Sequence, residues 1–304
     1  MPTAVPPPDR PNTLGPVSDE PPIASDQDVS ADAERRLSFG SVAEQYDRHR
    51  PGYPPQLVDD ILTYADAHAG DRALEVGAGT GRATLMFAQR GLKVMALEPD
   101  VDMAAVASER AATAGLTIDM ITSDFETAFE AHALPEHAFK LLFSGTAWHW
   151  VTPSLRNELA TRALVRGGTL APFWNRPVWD GNPLRPALEA AYEEIAEEFA
   201  ARPRGPMNPF GAPLEIKTDR EWLQEEFSGN SEFTDVRVRH YTWSKSYEAA
   251  EYVALTGTHS DHILLPAAAS ERLSVGITEA IDAVGGSFEL SYATLLCLAR
   301  RTGG

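Results

Sequence analysis

Short apolar runs and amphipathic stretches take turns along the middle of this chain. Branched or apolar segments at 72–76, 92–97, 117–122, 139–144 and 169–174 have the length and composition of buried strands. Over 80–90, 101–114 and 153–165 the apolar positions recur every three to four residues, which predicts helices; Gly91, Gly115 and Gly167-Gly168 fall where helix C-caps belong. Ahead of them, Ser41 and Glu44 have capping-box spacing for a short helix that runs through Arg48 and is stopped by Pro51. Pro54-Pro55 can open a second helix with Leu57, Val58, Ile61, Leu62 and Ala65 on one face and Gly70 at its end. Strand–helix alternation of this kind predicts an α/β fold with a doubly wound, mostly parallel sheet.

After Trp174 the rhythm breaks. Residues 175–231 carry prolines at 177, 183, 186, 203, 206, 209 and 213, one amphipathic helix near 184–200 and a second near 219–228. A connection this long is expected to be a helical insertion covering the edge or mouth of the sheet. A sixth strand follows near 232–241, then helices near 246–257 and 266–284 inside a second insertion at 244–287, and a seventh strand near 288–299. The expected organisation is a core at 70–174 with two cap insertions, within one domain at 35–301.

Composition changes this picture at the N-terminus. Residues 1–34 hold seven acidic residues against one Arg, two proline clusters and almost no large apolar side chain, so they are expected to form a disordered tail. Of the whole chain, 43% is apolar, enough for a sizeable core, and the net charge of −18 argues against a nucleic-acid partner. The single cysteine, Cys297, excludes an internal disulfide framework and sits in an apolar run. No apolar run approaches a membrane span and the first residues lack a signal-peptide pattern, so a cytoplasmic protein without a membrane partner is expected.

The candidate chemistry begins at Ala73-Leu74-Glu75-Val76-Gly77-Ala78-Gly79-Thr80-Gly81-Arg82, a strand that runs through a glycine turn into a helix. Such a turn lets a ligand lie against the backbone and exposes N–H groups at the helix start. Glu98 follows the second strand, 17 residues beyond Gly81, where a carboxylate can accept hydrogen bonds from a ribose diol. Asp124 follows the third strand; it can accept from an exocyclic amine while Phe125 flanks a purine ring. Dinucleotide sites want Gly-x-Gly-x-x-Gly and P-loops want Lys-Ser/Thr, whereas this chain has Gly-x-Gly-x-Gly.

The glycine turn with Glu75 before it resembles motif I of class I S-adenosylmethionine-dependent methyltransferases. The similarity narrows at Phe39 to Asp47 with Arg50-Pro51-Gly52-Tyr53-Pro54, at Thr146 to Val151, at Val165 to Leu170, at Phe173-Trp174-Asn175 and at Thr258 to His262, which resemble the type-11 small-molecule methyltransferases. The resemblance covers about 37–301 and implies a Rossmann-like methyltransferase fold with a seven-stranded sheet. It implies S-adenosyl-L-methionine as cofactor and S-adenosyl-L-homocysteine as product. Gly77, Ala78, Gly79 and Gly81 would meet the methionyl part, Glu75 its ammonium, Glu98 with Pro99 the ribose, and Asp124 with Phe125 the adenine. Ala78 stands where many relatives carry Cys; both are small. The leading helix would fold over the cofactor, with Tyr46 near it and Arg50 against the methionyl carboxylate; the alternative is a surface helix with a salt bridge to Asp47.

Methyl transfer is a displacement at an activated carbon, so alignment carries most of the barrier and a base is needed only where the nucleophile must lose a proton. His149, at the mouth of the fourth strand, can serve as that base, or can pack between Trp148 and Trp150 and line the pocket. Trp148, Trp150, Trp174 and Trp179 suggest an aromatic wall, hence a hydrophobic or ring-containing acceptor. His259, His262 and Tyr247 are expected as polar pocket residues; His259, Asp261 and His262 lack a third partner type for a metal site, and none is expected. Two rivals remain: a member that binds the cofactor without transferring methyl groups or uses it for another reaction, and a nicotinamide-dependent oxidoreductase.

Overall fold

A computed structural model describes residues 43–200, Phe210, Phe227 and residues 231–303. The expected acidic tail, the Ser41 cap and the helix near 219–228 lie outside these residues, apart from Phe227. The chain opens with α1 (Ala43–His49) and α2 (Pro55–Ala65), then alternates β1 (Arg72–Val76), α3 (Arg82–Gln89), β2 (Lys93–Leu97), α4 (Val101–Thr113), β3 (Asp119–Ile121), α5 (Phe125–Glu130), β4 (Phe139–Gly145), α6 (Pro153–Ala163) and β5 (Leu164–Val178). Beyond come α7 (Arg185–Glu193), α8 (Ala196–Ala200), β6 (Phe233–Glu248), α9 (Ala249–Thr256), α10 (Ser260–Ile263), α11 (Ala267–Asp282) and β7 (Ser287–Arg301).

The seven strands form one sheet in the order β3-β2-β1-β4-β5-β7-β6. The first five pair in parallel, and β7 runs antiparallel between β5 and β6. Strand alternation explains why the runs are apolar throughout. In β4, Leu142 packs on one face with Leu74, Val76, Phe125 and Trp148, while Leu141 and Phe143 pack on the other with Leu57, Ile61 and Phe87. In β7, Leu295 and Cys297 take the first face and Leu296 and Leu298 the second. A sheet covered by helices on both sides leaves no polar face to write into the sequence.

Several boundaries differ from the sequence reading, each for a local reason. Helix α2 stops at Ala65 because Asp66 takes a left-handed conformation (φ 50°) and its N–H closes the last turn, five residues short of the glycine expected to end it. Gly167-Gly168 do not cap α6. That helix ends at Ala163, and β5 has already begun, with a register shift against β4 that absorbs the glycine pair. The stretch 184–200 is two helices broken at Glu194-Ile195. Two α-helices were not anticipated, the four-residue α10 and the six-residue α5; Asp124 caps α5, its carboxylate accepting from the Thr127 N–H at 2.8 Å.

The largest difference is at the end of the chain. Strand β6 extends through Glu248, so residues expected to open the second insertion are still strand, paired with β7 back to Ser287. Residues 174–178 of β5 pair with 291–295 of β7 after β4 has stopped at Gly145. The three long strands thus run past the rest of the sheet as a ribbon. On it sits a separate apolar cluster in which Trp179, Leu188 and Tyr192 meet Tyr247, Ile277 and Leu290. This cap is held over the C-terminal ends of the parallel strands, where an open α/β sheet places its ligand crevice.

Candidate active site

Strand β1 feeds directly into the glycine turn. Gly77, Gly79 and Gly81 have φ of 74°, 56° and 77°, in the left-handed region that side chains disfavour. At Gly77 the requirement is doubled, since a Cβ there would lie 2.3 Å from that of Ala147. The turn is pinned to its neighbour: the N–H groups of Gly77 and Ala78 both donate to the Leu97 carbonyl, at 3.0 and 2.9 Å. Glu98 completes it. The Gly79 N–H donates to one carboxylate oxygen at 2.7 Å and the Asp100 N–H to the other at 3.0 Å.

These groups border a cavity of about 300 Å³. Its floor holds Gly77, Gly79, Glu98, Pro99, Asp124 and Phe125, and its far wall Thr146, Ala147, His149 and Trp150. Tyr46, Arg50 and His259 close it from above. Of the residues expected at the cofactor, then, Tyr46, Arg50, Gly77, Gly79, Glu98, Pro99, Asp124 and Phe125 come together around one space. Ala78 and Gly81 lie in the same turn behind its lining, Gly81 at the N-terminus of α3.

Glu75 stands apart. Alternation along β1 puts it on the Ala73 face, toward α3, where it is 1% exposed and accepts a hydrogen bond from the Thr84 hydroxyl. It does not line the cavity. Burial, opposed by the Thr84 hydrogen bond and reinforced by the nearby Glu98 charge, pushes its carboxyl well above the usual range. In this structure the side chain is held beneath the turn by the Thr84 hydroxyl, away from the cavity lining.

The acceptor-side residues divide. Trp150 lines the cavity, but Trp148, 2% exposed, packs into the core against Phe125. Trp174 lies behind the wall, its indole N–H directed at His149 Nδ1 at 3.4 Å. With Nδ1 accepting, neutral His149 carries its proton on Nε2. Tyr247 is fully buried inside the cap, its hydroxyl 2.7 Å from that of Tyr292, and is not part of this cavity's lining. His262 is also buried in the cap, its Nε2 2.9 Å from the Tyr192 hydroxyl. His259 does face the cavity; burial, then Arg50 and His262, hold its imidazole well below the ordinary value.

Arg50 links the two halves. It donates from Nε to the Thr258 hydroxyl and from Nη2 to the Thr258 carbonyl, both at 2.9 Å, and lies 4.8 Å over the Tyr46 ring. It does not pair with Asp47, which sits 2.6 Å from Arg110 of α4. Thr146, at the start of the Thr146–Val151 stretch, is a further residue of the site. It caps the end of β4 with φ 59°, donates its N–H to the Phe173 carbonyl and shares a 3.0 Å hydrogen bond with the Tyr53 hydroxyl. Its position just past a central strand was the available signal. Among the described residues, no group of three metal-ligating side chains comes together and no helix is long and apolar enough to cross a membrane.

Comparison with known proteins agrees with this geometry. Residues 73–168 match a protein-family model described as a methyltransferase domain. An uncharacterized methyltransferase of Mycobacterium tuberculosis is 37% identical over 139 residues, 46% of this chain and 52% of that protein. The chain thus spans about half the length of that relative. An uncharacterized methyltransferase of Schizosaccharomyces pombe is 22% identical over 250 residues, covering 81% of this chain and 88% of the relative. Among solved structures, a putative type II methyltransferase of Anaeromyxobacter dehalogenans superposes with a TM-score of 0.56 at 16% identity, over 83% of this chain and 97% of its own. The strand–glycine–helix turn and the seven-stranded order with one reversed strand give the chain a Rossmann-like methyltransferase fold, whose residues 73–168 are similar to a methyltransferase domain.

Proposed function

We propose that this protein transfers the methyl group of S-adenosyl-L-methionine to a small, hydrophobic or ring-containing acceptor by direct displacement. The observation that carries the reading is the convergence on one cavity of a left-handed glycine turn with Glu98 and Asp124 at the tips of adjacent strands. The turn offers backbone where a Cβ would obstruct, and the two carboxylates suit a diol and an exocyclic amine. Phe125 would flank the adenine. Tyr46 and Arg50, over the cavity, would cover the methionyl part, with the guanidinium against its carboxylate. Bound there, the cofactor supplies a methyl carbon already activated by its sulfonium.

What the chain then contributes is alignment and exclusion of water. The cap closes the space above the strand ends, and Trp150 and Thr146 border the side facing it. His149 fits a wall residue that donates from Nε2 better than a base, because its Nδ1 is turned toward Trp174.

Calorimetry with S-adenosylhomocysteine tests the reading. Wild type should bind it, and Glu98→Ala or Asp124→Ala should each weaken binding by about 1–3 kcal/mol. Absence of binding by wild type, or unchanged affinity in both variants, would remove it. Labelled methyl transfer from the cofactor to a component of a small-molecule extract separates turnover from mere binding.

A further inference from the structure

A second, smaller cavity of about 90 Å³ opens between α1 and the cap. It shares Tyr46, Arg50, Thr146 and His259 with the larger one, so the two spaces meet at the same four side chains. Their electrostatic character is opposite. The larger cavity is lined by Glu98, Asp124 and Glu126; the smaller has no lining carboxylate and holds two guanidiniums, Arg50 and Arg82. Aromatic and apolar groups, among them Trp179, Tyr252 and Leu290, form the rest of its wall.

Arg82 is the side chain in this space with charge to spare. Its nearest carboxylate, Asp47, is 4.0 Å from Nη2, at the limit of an ion pair, and is engaged more closely by Arg110 at 2.6 Å. The Arg82 Nε is buried and has no hydrogen-bond partner. Burial depresses the guanidinium's proton affinity, with Asp47 acting against that and Arg110 with it. A half-buried cation with a distant counter-ion is costly, and an anion in the cavity beside the guanidinium relieves that cost.

We propose that the smaller cavity receives a carboxylate of the methyl acceptor on Arg82, so that the acceptor is a small organic acid whose body lies along Trp179 and Tyr252. The assignment rests on the methyl-transfer reading above, with Arg50 left to the cofactor. It places the anion at the cap end and the reacting end toward Thr146 and His259, where the spaces join. A fork of N–H donors suits a planar carboxylate.

The test pairs acids with their uncharged amides: benzoate with benzamide, phenylacetate with phenylacetamide, and glutarate with glutaramide. Each is titrated calorimetrically into the S-adenosylhomocysteine-loaded protein. At least one acid should bind about tenfold more tightly than its amide. Arg82→Gln should abolish that difference, Arg82→Lys should restore part of it, and both should leave S-adenosylhomocysteine affinity within about twofold. Equal binding of acids and amides, no binding by any acid at millimolar concentration, or acid binding indifferent to Arg82→Gln would overturn the proposal. So would a variant that weakens S-adenosylhomocysteine instead, since Arg82 would then serve the cofactor. If wild type fails to bind S-adenosylhomocysteine, the methyl-transfer reading is the one that fails; the same titrations on unloaded protein still report whether the cavity prefers acids.

Discussion

The floor and the roof of the main cavity are built in different ways. The floor is local: most of it comes from residues 76–103 and 123–126, with backbone amides tied to the next strand over and one carboxylate holding the turn. The roof is assembled across the chain. Arg50 reaches Thr258 over a separation of 208 residues, and Tyr192 meets His262 over 70. The floor therefore depends on backbone conformation, in which a single Cβ matters, while the roof depends on side-chain packing that tolerates repacking.

Glycine replacements probe that difference most strongly. Gly77→Ala forces a left-handed alanine against Ala147 and should cost about 3 kcal/mol of stability, with loss of S-adenosylhomocysteine binding. Gly257→Ala, in the roof, has φ of −60° and meets nothing closer than 3.5 Å, so it should change stability by no more than about 0.5 kcal/mol. Comparable melting temperatures for the two variants would erase the distinction.

A middle-sized effect separates the cap's stability from the floor's chemistry. Tyr292→Phe removes one member of the buried hydroxyl pair with Tyr247 and should cost about 1 kcal/mol in denaturant titrations. Affinity for S-adenosylhomocysteine should be untouched; a matching loss of binding would show that the two halves move together.

His259 gives the roof a pH dependence. Its folded value is depressed, so the folded protein resists the proton that the unfolded chain accepts near 6.5. The associated stability is present in full above that value and is lost as pH falls from 6.5 toward the lower folded value. Melting temperatures measured downward from neutral pH should therefore decline, and His259→Gln should flatten that part of the curve. An unaltered slope would assign the decline to other groups.

The smallest effect belongs to Glu75. With a carboxyl that burial pushes well above the usual range and that accepts from the Thr84 hydroxyl, Glu75→Gln preserves shape and should alter stability and cofactor affinity by less than about 0.5 kcal/mol. A large loss of affinity would mean that the residue acts on the ligand as a charge.

What the sequence made legible follows the same division. Gly77, Glu98 and Asp124 can be placed because each lies at a fixed offset from a strand end, and strand ends are marked by where apolar runs stop. Tyr247 and His262 could not be separated from His259, because all lie in helical or strand sequence whose polar positions point equally well into a cap core or into a cavity. Trp148 and Trp150 differ only in which side of a three-residue turn they occupy, so two adjacent indoles went to core and wall. The length of β6 was hidden for another reason. Beyond Tyr241 its partner is the N-terminal part of β7, 49 residues away at Trp243–Tyr292, and nothing local distinguishes that ribbon from a loop.

The ribbon has a consequence for anyone who would divide this protein. Cutting out 249–286 to obtain a minimal catalytic core looks reasonable on a linear map, because both ends fall at element boundaries. Tyr247, Leu290 and Tyr292 belong to the strands and share one buried cluster with the helices that would be removed, so the cut strips part of their cover. The truncated chain would carry a projecting three-stranded tongue with an apolar face, a template for self-association. The cap is inserted between strands in sequence, yet it covers the apolar face of those same strands.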